Sequence, residues 1–353
     1  MEGEIKNLIK VWLSITASLC YCYFISSRIP KGKYRLLSLL PIFSFFTFLP
    51  LQLTFAFPAA VVATFITWIA TFKLLLFAFD RGPLSPNPPK SLALFITIAC
   101  LPIRSKQIQN NPSPKSPKST KPKKLPLNLG TEIVIFALLI GVLSEYREIM
   151  HDKIVLVVYC VLVFLLVEVL FSFSNGVVQA LVGLELEPPS DEPYLSTSLQ
   201  DFWGKRWNLT VTNTLRHTVF EPVRAATVAV VGHTWAPLLG VLASFVVSGL
   251  MHELLFFYVT RVSPSWEMTG FFVVHGVCVV AEMGVKRAVS GKLRLPWAVS
   301  WPLTVGFVVA TSFWLFFPPL RRNGADVRVI EEFKMFVNFM KSNLILLASS
   351  IGI

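Results

Sequence analysis

V-L-A-S-F-V-V-S-G-L-M-H-E-L-L-F-F-Y-V, residues 241–259, is an apolar run broken by a single histidine and glutamate, His252 and Glu253. A helix that crosses a bilayer needs about 20 mostly apolar residues, so the run reads as most of one span. An ionisable side chain at that depth is costly unless it lines a cavity or finds a partner, and it marks a functional site. A neutral imidazole at His252 suits a general base, since it accepts a proton without being charged beforehand. Ser248, four residues earlier, shares the histidine's helical face and is placed to orient it, with Glu253 beside it as a second support. The competing reading is a core histidine satisfied by its neighbours.

The rest of the chain is built in the same way. Its 353 residues are 54% hydrophobic and only 15% charged, with a mean hydropathy of +0.63. Such a chain is too apolar for a soluble globule and reads as an all-α, polytopic integral membrane protein. Candidate spans cover 8–25, 36–57, 59–79, 132–143, 154–173, 225–262, 269–285, 298–317 and a weaker 333–351, for eight or nine helices. The run 92–103 is short enough to be interfacial or re-entrant, and 225–262 looks broken at H-T-W-A-P (233–237). The first run has no small-residue cleavage site and reads as a retained helix. No internal repeat suggests a two-fold transporter.

The net charge of +12 lies in loops rather than on one soluble face, which argues for membrane topology and against nucleic acid as a partner. Residues 104–128 form a basic Pro/Ser/Lys-rich loop after the N-terminal helices of 1–103, and the positive-inside bias places it in the cytosol. Counting helices from there puts loop 174–224, within a core of 129–320, on the same side. A tail with a weak apolar helix fills 321–353. The five cysteines form no C-x-x-C pair and read as small buried hydrophobes.

Loop 174–224 contains the second informative stretch, S-L-Q-D-F-W-G-K-R-W-N-L (198–209). Lys205, Arg206, Arg216 and Arg224 can meet phosphates, and Phe202, Trp203 and Trp207 offer faces for an adenine. Together they suit a nucleotide-bearing amphiphile. An interfacial helix, with tryptophans at headgroup level and snorkelling basic residues, is the alternative. His275 and Glu282 lie two turns apart and could face one cavity, or pair with neighbours. His151, His217 and His233 read as structural, and Glu168 as an intramembrane carboxylate turned toward protein. No G-x-S-x-G elbow, P-loop, G-x-G-x-x-G or multi-histidine cluster is present, which counts against hydrolase, ATPase, NAD-dependent reductase and desaturase. A transporter relaying protons through His and Glu stays open as a different class, although it gives no reason for the aromatic-basic block.

That block followed by an intramembrane histidine resembles the membrane-bound O-acyltransferase superfamily. S-L-Q-D-F-W-G-K-R-W-N, V-S-G-L-M-H-E (247–253) and P-S-W-E-M-T-G-F-F (264–272), with F-K-L-L-L-F-A-F (72–79) and G-P-L-S (82–85), resemble its plant jojoba-type wax synthase group. The resemblance runs from the N-terminal helices through about residue 320 and implies a helical bundle enclosing a catalytic chamber. It implies catalytic roles for Asn208 and His252 and acyl-CoA contacts from Phe202, Trp203, Lys205, Arg206 and Trp207. Related enzymes read F-Y-x-D-W-W-N where Lys205 and Arg206 stand here. The implied reaction moves a fatty acyl group from acyl-CoA to a long-chain alcohol, or else a sterol, in the endoplasmic reticulum membrane. It requires no metal and no cofactor, because acyl-CoA is itself a substrate. Asn208-Leu209-Thr210 is the only N-x-[ST] sequon, and a cytosolic asparagine escapes glycosylation.

Overall fold

The computed structural model describes residues 1–85, 91–102, 128–183, 186–289 and 295–351, so the basic loop expected over 104–128 lies almost wholly outside the described residues. The described residues form fourteen α-helices and no β-strand. The chain opens with α1 (Glu2–Phe24), α2 (Lys33–Phe48), α3 (Ala56–Val62), α4 (Thr71–Ala78) and α5 (Leu92–Cys100). It continues through α6 (Leu129–Tyr146), α7 (Asp152–Val182), α8 (Leu199–Asp201), α9 (Leu209–Leu215) and α10 (Glu221–Thr260). Helices α11 (Glu267–Ala288), α12 (Trp297–Thr311), α13 (Pro318–Arg322) and α14 (Ala325–Ile351) complete it. Among the described residues, eight helical stretches are long and apolar enough to cross a membrane, in line with the eight or nine expected. Helix α5, with 9 residues, is too short to cross.

Two expectations need correction. The stretch 174–224 is no extended loop: α7 continues to Val182 and ends at left-handed Gly183, and from Leu199 onward the chain is again largely helical. Its charged residues hid that helicity, because turns at a membrane surface need not be apolar. The break expected at 233–237 falls instead at Gly232 (φ 77°, ψ 171°), inside α10. Glycine tolerates positive φ, and Pro237 is carried inside the helix that follows.

By contacts the chain divides into two units, Met1–Leu101 with Asp191–Ile353, and Pro102–Ser190. This grouping joins the N-terminal helices to the C-terminal half, unlike a division read linearly along the chain. The smaller unit contains the α6–α7 pair. Asn128 caps α6 by accepting from the Thr131 amide at 2.8 Å, and Glu132 and Glu168 are buried within this unit.

The larger unit is stitched by carboxylates that cap other helices. Glu4 accepts from the amides of Thr54 and Phe55, both at 3.0 Å, and Glu332 from Ala56 at 2.6 Å and Phe57 at 2.8 Å. Glu253 takes the amides of Trp266 (2.7 Å) and Thr269 (3.0 Å) at the start of α11. Glu282 takes that of Leu199 (2.8 Å) at the start of α8. The first amides of a helix lack intrahelical partners and lie at its positive end, so a carboxylate there meets donors and favourable charge together. Helices α10 and α11 pack at glycine: a Cβ on Gly249 would lie 2.9 Å from Thr269 Cα, and one on Gly276 would lie 2.8 Å from Phe245 Cβ. Small residues let membrane helices approach this closely.

Candidate functional site

His252 projects from α10 into an aromatic enclosure. Its ring centroid lies 4.3 Å from Phe272 of α11, 5.0 Å from Trp68 in an edge-to-face arrangement, and 6.4 Å from Phe316. Trp68 and Phe316 belong to π-helical stretches, Ala63–Ala70 and Ser312–Phe316, as does Trp203, in Phe202–Arg206. The wider turn rotates side chains away from the register of an α-helix and recurs at functional sites.

The Nδ1 atom of His252 lies 2.8 Å from the carbonyl oxygen of Ser248. A carbonyl can only accept, so Nδ1 carries the proton, and a neutral ring keeps its lone pair on Nε2. Ser248 does orient the histidine, but through its backbone rather than the hydroxyl that its position on the helix suggested. Glu253 does not act beside the imidazole: its carboxylate is committed to the N-terminus of α11, the helix that carries Phe272.

The aromatic-basic block divides into inward and outward parts. Trp203, half-buried, turns inward against Phe245 (5.7 Å), Phe272 (5.7 Å) and His275 (5.3 Å). Its indole Nε1 donates to His275 Nδ1 at 3.0 Å. That bond fixes the tautomer of His275, whose Nε2–H faces Thr311 Oγ1 at 2.8 Å. His275 is therefore a fully engaged structural group, and Glu282, bonded to the Leu199 amide and Lys286, is another.

Arg206 is also drawn inward. Its Nε meets Asp201 at 2.8 Å, and its Nη1 donates to the carbonyls of Asp191 (3.0 Å) and Glu192 (3.3 Å). A guanidinium held this way pins the preceding loop. Lys205 is exposed. Phe202 is buried, with half-buried Trp207 nearly parallel to it at 12° and 5.6 Å. Arg216 pairs with Glu221 at 3.6 Å on the exposed surface, a contact weak enough to exchange for a phosphate. Arg224 lies over the Phe220 ring at 5.7 Å.

Asn208 adopts a left-handed conformation (φ 37°, ψ 64°) that asparagine tolerates better than most residues, and its Oδ1 caps α9 by accepting from the Val211 amide at 3.2 Å. Its link to His252 is indirect. Thr212, bonded to the Asn208 carbonyl, also donates to the Trp203 carbonyl at 3.1 Å, and the Trp203 ring rests on Phe272, which covers the imidazole. Among the remaining histidines, His217 pairs with Glu221 at 3.1 Å and His151 caps α7. His233 is exposed. Trp68, Phe272 and Phe316 escaped the sequence reading as neighbours of His252: aromatic residues are abundant throughout the chain, and their separation in sequence carries no hint of contact.

The site is thus a half-buried, oriented imidazole on one of eight candidate membrane spans, coupled through Trp203 and Phe272 to a polar block. The model of the membrane bound O-acyl transferase family matches residues 186–274, which hold both Asn208 and His252, and the chain belongs to that family. Within it, the chain is 44% identical over 349 residues to a long-chain-alcohol O-fatty-acyltransferase of Simmondsia chinensis, covering 98% of each protein. It is 45% identical over 343 residues to the Arabidopsis thaliana protein named probable long-chain-alcohol O-fatty-acyltransferase 1, across 97% of this chain and 98% of that one. An acyl-CoA–sterol O-acyltransferase of Arabidopsis thaliana is 40% identical over 328 residues, or 93% of this chain and 94% of that one.

Proposed function

We propose that the protein transfers a long-chain fatty acyl group from acyl-CoA to a long-chain alcohol, releasing a wax ester and free CoA. The observation that carries this reading is the imidazole of His252, with Nδ1–H held by the Ser248 carbonyl. Its Nε2 is left as the proton acceptor inside an aromatic enclosure. The alcohol gives its proton to Nε2 as its oxygen attacks the thioester carbonyl. The new C–O bond forms, the C–S bond breaks, and the proton passes to the departing CoA thiolate. Apolar walls bring two lipid-soluble reactants together and exclude water that would hydrolyse the thioester.

Asn208 acts toward the acyl donor through its amide. Since Oδ1 caps α9, a hydrogen bond to the acyl carbonyl would come from Nδ2. Exposed Lys205, with Arg216 once its surface pair opens, meets the phosphates of CoA, and Trp207 on Phe202 offers the stacking face. The enzyme works in the endoplasmic reticulum membrane, with these residues toward the cytosol. A sterol as acceptor is the second reading, favoured by the sterol O-acyltransferase relative at 40% identity.

Detergent-solubilised protein given labelled acyl-CoA and a panel of long-chain alcohols, sterols and diacylglycerol tests the proposal. Wax ester is the expected main product. Sterol ester in its place overturns the acceptor, and no ester at all overturns the reaction.

A further inference from the structure

Trp68 is buried, with 5% of its surface exposed, and its indole Nε1–H has no hydrogen-bond partner. A buried tryptophan N–H normally finds an acceptor, because leaving it unpaired carries a desolvation penalty. The ring stands edge-to-face on His252 with centroids 5.0 Å apart. It also lines a shallow, open-sided cleft between the Ala63–Ala70 stretch and α10.

The other polar side chains of that cleft are Thr64, Thr67 and Tyr258, and each already spends its hydrogen. Thr64 Oγ1 donates to the Ala60 carbonyl at 2.9 Å, Thr67 Oγ1 to the Phe46 carbonyl at 3.0 Å, and Tyr258 Oη to the Thr47 carbonyl at 2.6 Å. Met251, Leu254 and Leu255 are among the apolar remainder. Trp68 Nε1 is thus a buried donor without a partner, on a ring that stands against the proposed base.

We infer that the Trp68 indole N–H binds the carbonyl oxygen of the acyl thioester and stabilises the negative charge that builds there during attack. The inference rests on the acyl-transfer reading of His252. An indole N–H donates and never accepts, so it cannot relay the alcohol's proton. A hydrogen bond to the attacking oxygen would also weaken that oxygen as a nucleophile. The carbonyl oxygen is the reacting atom that gains charge and needs a donor placed in advance, in a site from which water is excluded. Placement next to the imidazole lets one tetrahedral centre address the base on one side and the indole on the other.

The test uses full-length Trp68→Phe beside wild type and His252→Ala, with labelled acyl-CoA and the alcohol the wild type prefers. Removing one such donor lowers kcat by about 100-fold or more. The KM for acyl-CoA should hold, and inhibition by the S-hexadecyl thioether of CoA, which has no carbonyl, should be the same in both proteins. The melting temperature should fall only by the modest amount that trimming a buried ring costs, because the lost N–H had no partner to lose. A Trp68→Phe enzyme with near-normal kcat overturns the inference while leaving the reaction intact if His252→Ala is inactive. A variant that melts far lower and loses thioether binding along with kcat overturns it as well, since that pattern belongs to a packing role. Absence of ester synthesis by wild type removes the acyl-transfer reading itself.

Discussion

The carbonyl of Ser248, rather than its hydroxyl, holds Nδ1 of His252, so Ser248→Ala should keep turnover near wild type. His252→Ala should lose about 100-fold or more, the scale of a general base. Esterification rates of the two purified variants check the pair, and an inactive Ser248→Ala would give the hydroxyl a role after all. Asn208 separates fold from chemistry in the same way. Aspartate can also cap α9 and tolerate a left-handed backbone, so Asn208→Asp should melt like wild type yet lose activity, by placing negative charge near a developing oxyanion. Asn208→Ala should lose activity and also about 1 kcal/mol of stability with the cap. At the surface, Lys205→Gln should raise the KM for acyl-CoA without changing the melting temperature. Arg206→Gln, which frees Asp201 and two loop carbonyls, should lower the melting temperature instead. Steady-state kinetics in parallel with thermal melts distinguish the two residues.

At the scale of elements, the site depends on how α11 meets α10. The N-terminus of α11 is anchored by Glu253, and its Phe272 then covers the imidazole. Glu253→Ala should remove charge-assisted hydrogen bonds of roughly 2 kcal/mol and release the first turn of α11. Gly249 faces the Thr269 backbone at a distance no Cβ accepts. Gly249→Ala should therefore force the helices apart and cost about 1–3 kcal/mol, with activity lost through a displaced Phe272. Thermal unfolding together with ester synthesis tests this, and an alanine variant as stable and active as wild type would show that the contact yields easily. The π-helical stretches at Ala63–Ala70, Phe202–Arg206 and Ser312–Phe316 bring Trp68, Trp203 and Phe316 to one place from three distant parts of the chain.

Across the whole molecule, the basic connections and the eight spanning stretches predict one sidedness. By that expectation Asn208, in the only sequon, is on the cytosolic side and the turn between α10 and α11 at 262–265 on the lumenal side. Glycosidase treatment should leave wild-type protein unshifted on a gel, whereas an acceptor sequon inserted in that turn should become modified. A shift of the wild-type band would reverse the topology. The larger unit ties its first helices to its last: Glu332 caps α3, and α3 leads into the stretch that holds Trp68. Glu332→Ala, far from His252 in the chain, should lower the melting temperature and reduce activity together.

Much of this architecture is written locally. Runs of about 20 apolar residues can satisfy their backbone in a bilayer only as helices, so span number and the depth of His252 follow from the sequence itself. A histidine at that depth and an aromatic-basic block ending in asparagine marked the two informative segments. Their partners could not be read in the same way. Whether Arg206 holds a phosphate or a loop, whether Trp203 faces outward or packs on His275, and whether Glu253 serves the imidazole or a helix end depend on atoms contributed by segments tens of residues away. Hydrophobic periodicity carries no information about such pairings. Trp68 makes the point most sharply: 184 residues before His252, in a chain with nine tryptophans, it becomes a candidate for the site only because folding sets its ring against the imidazole and leaves its N–H unpaired.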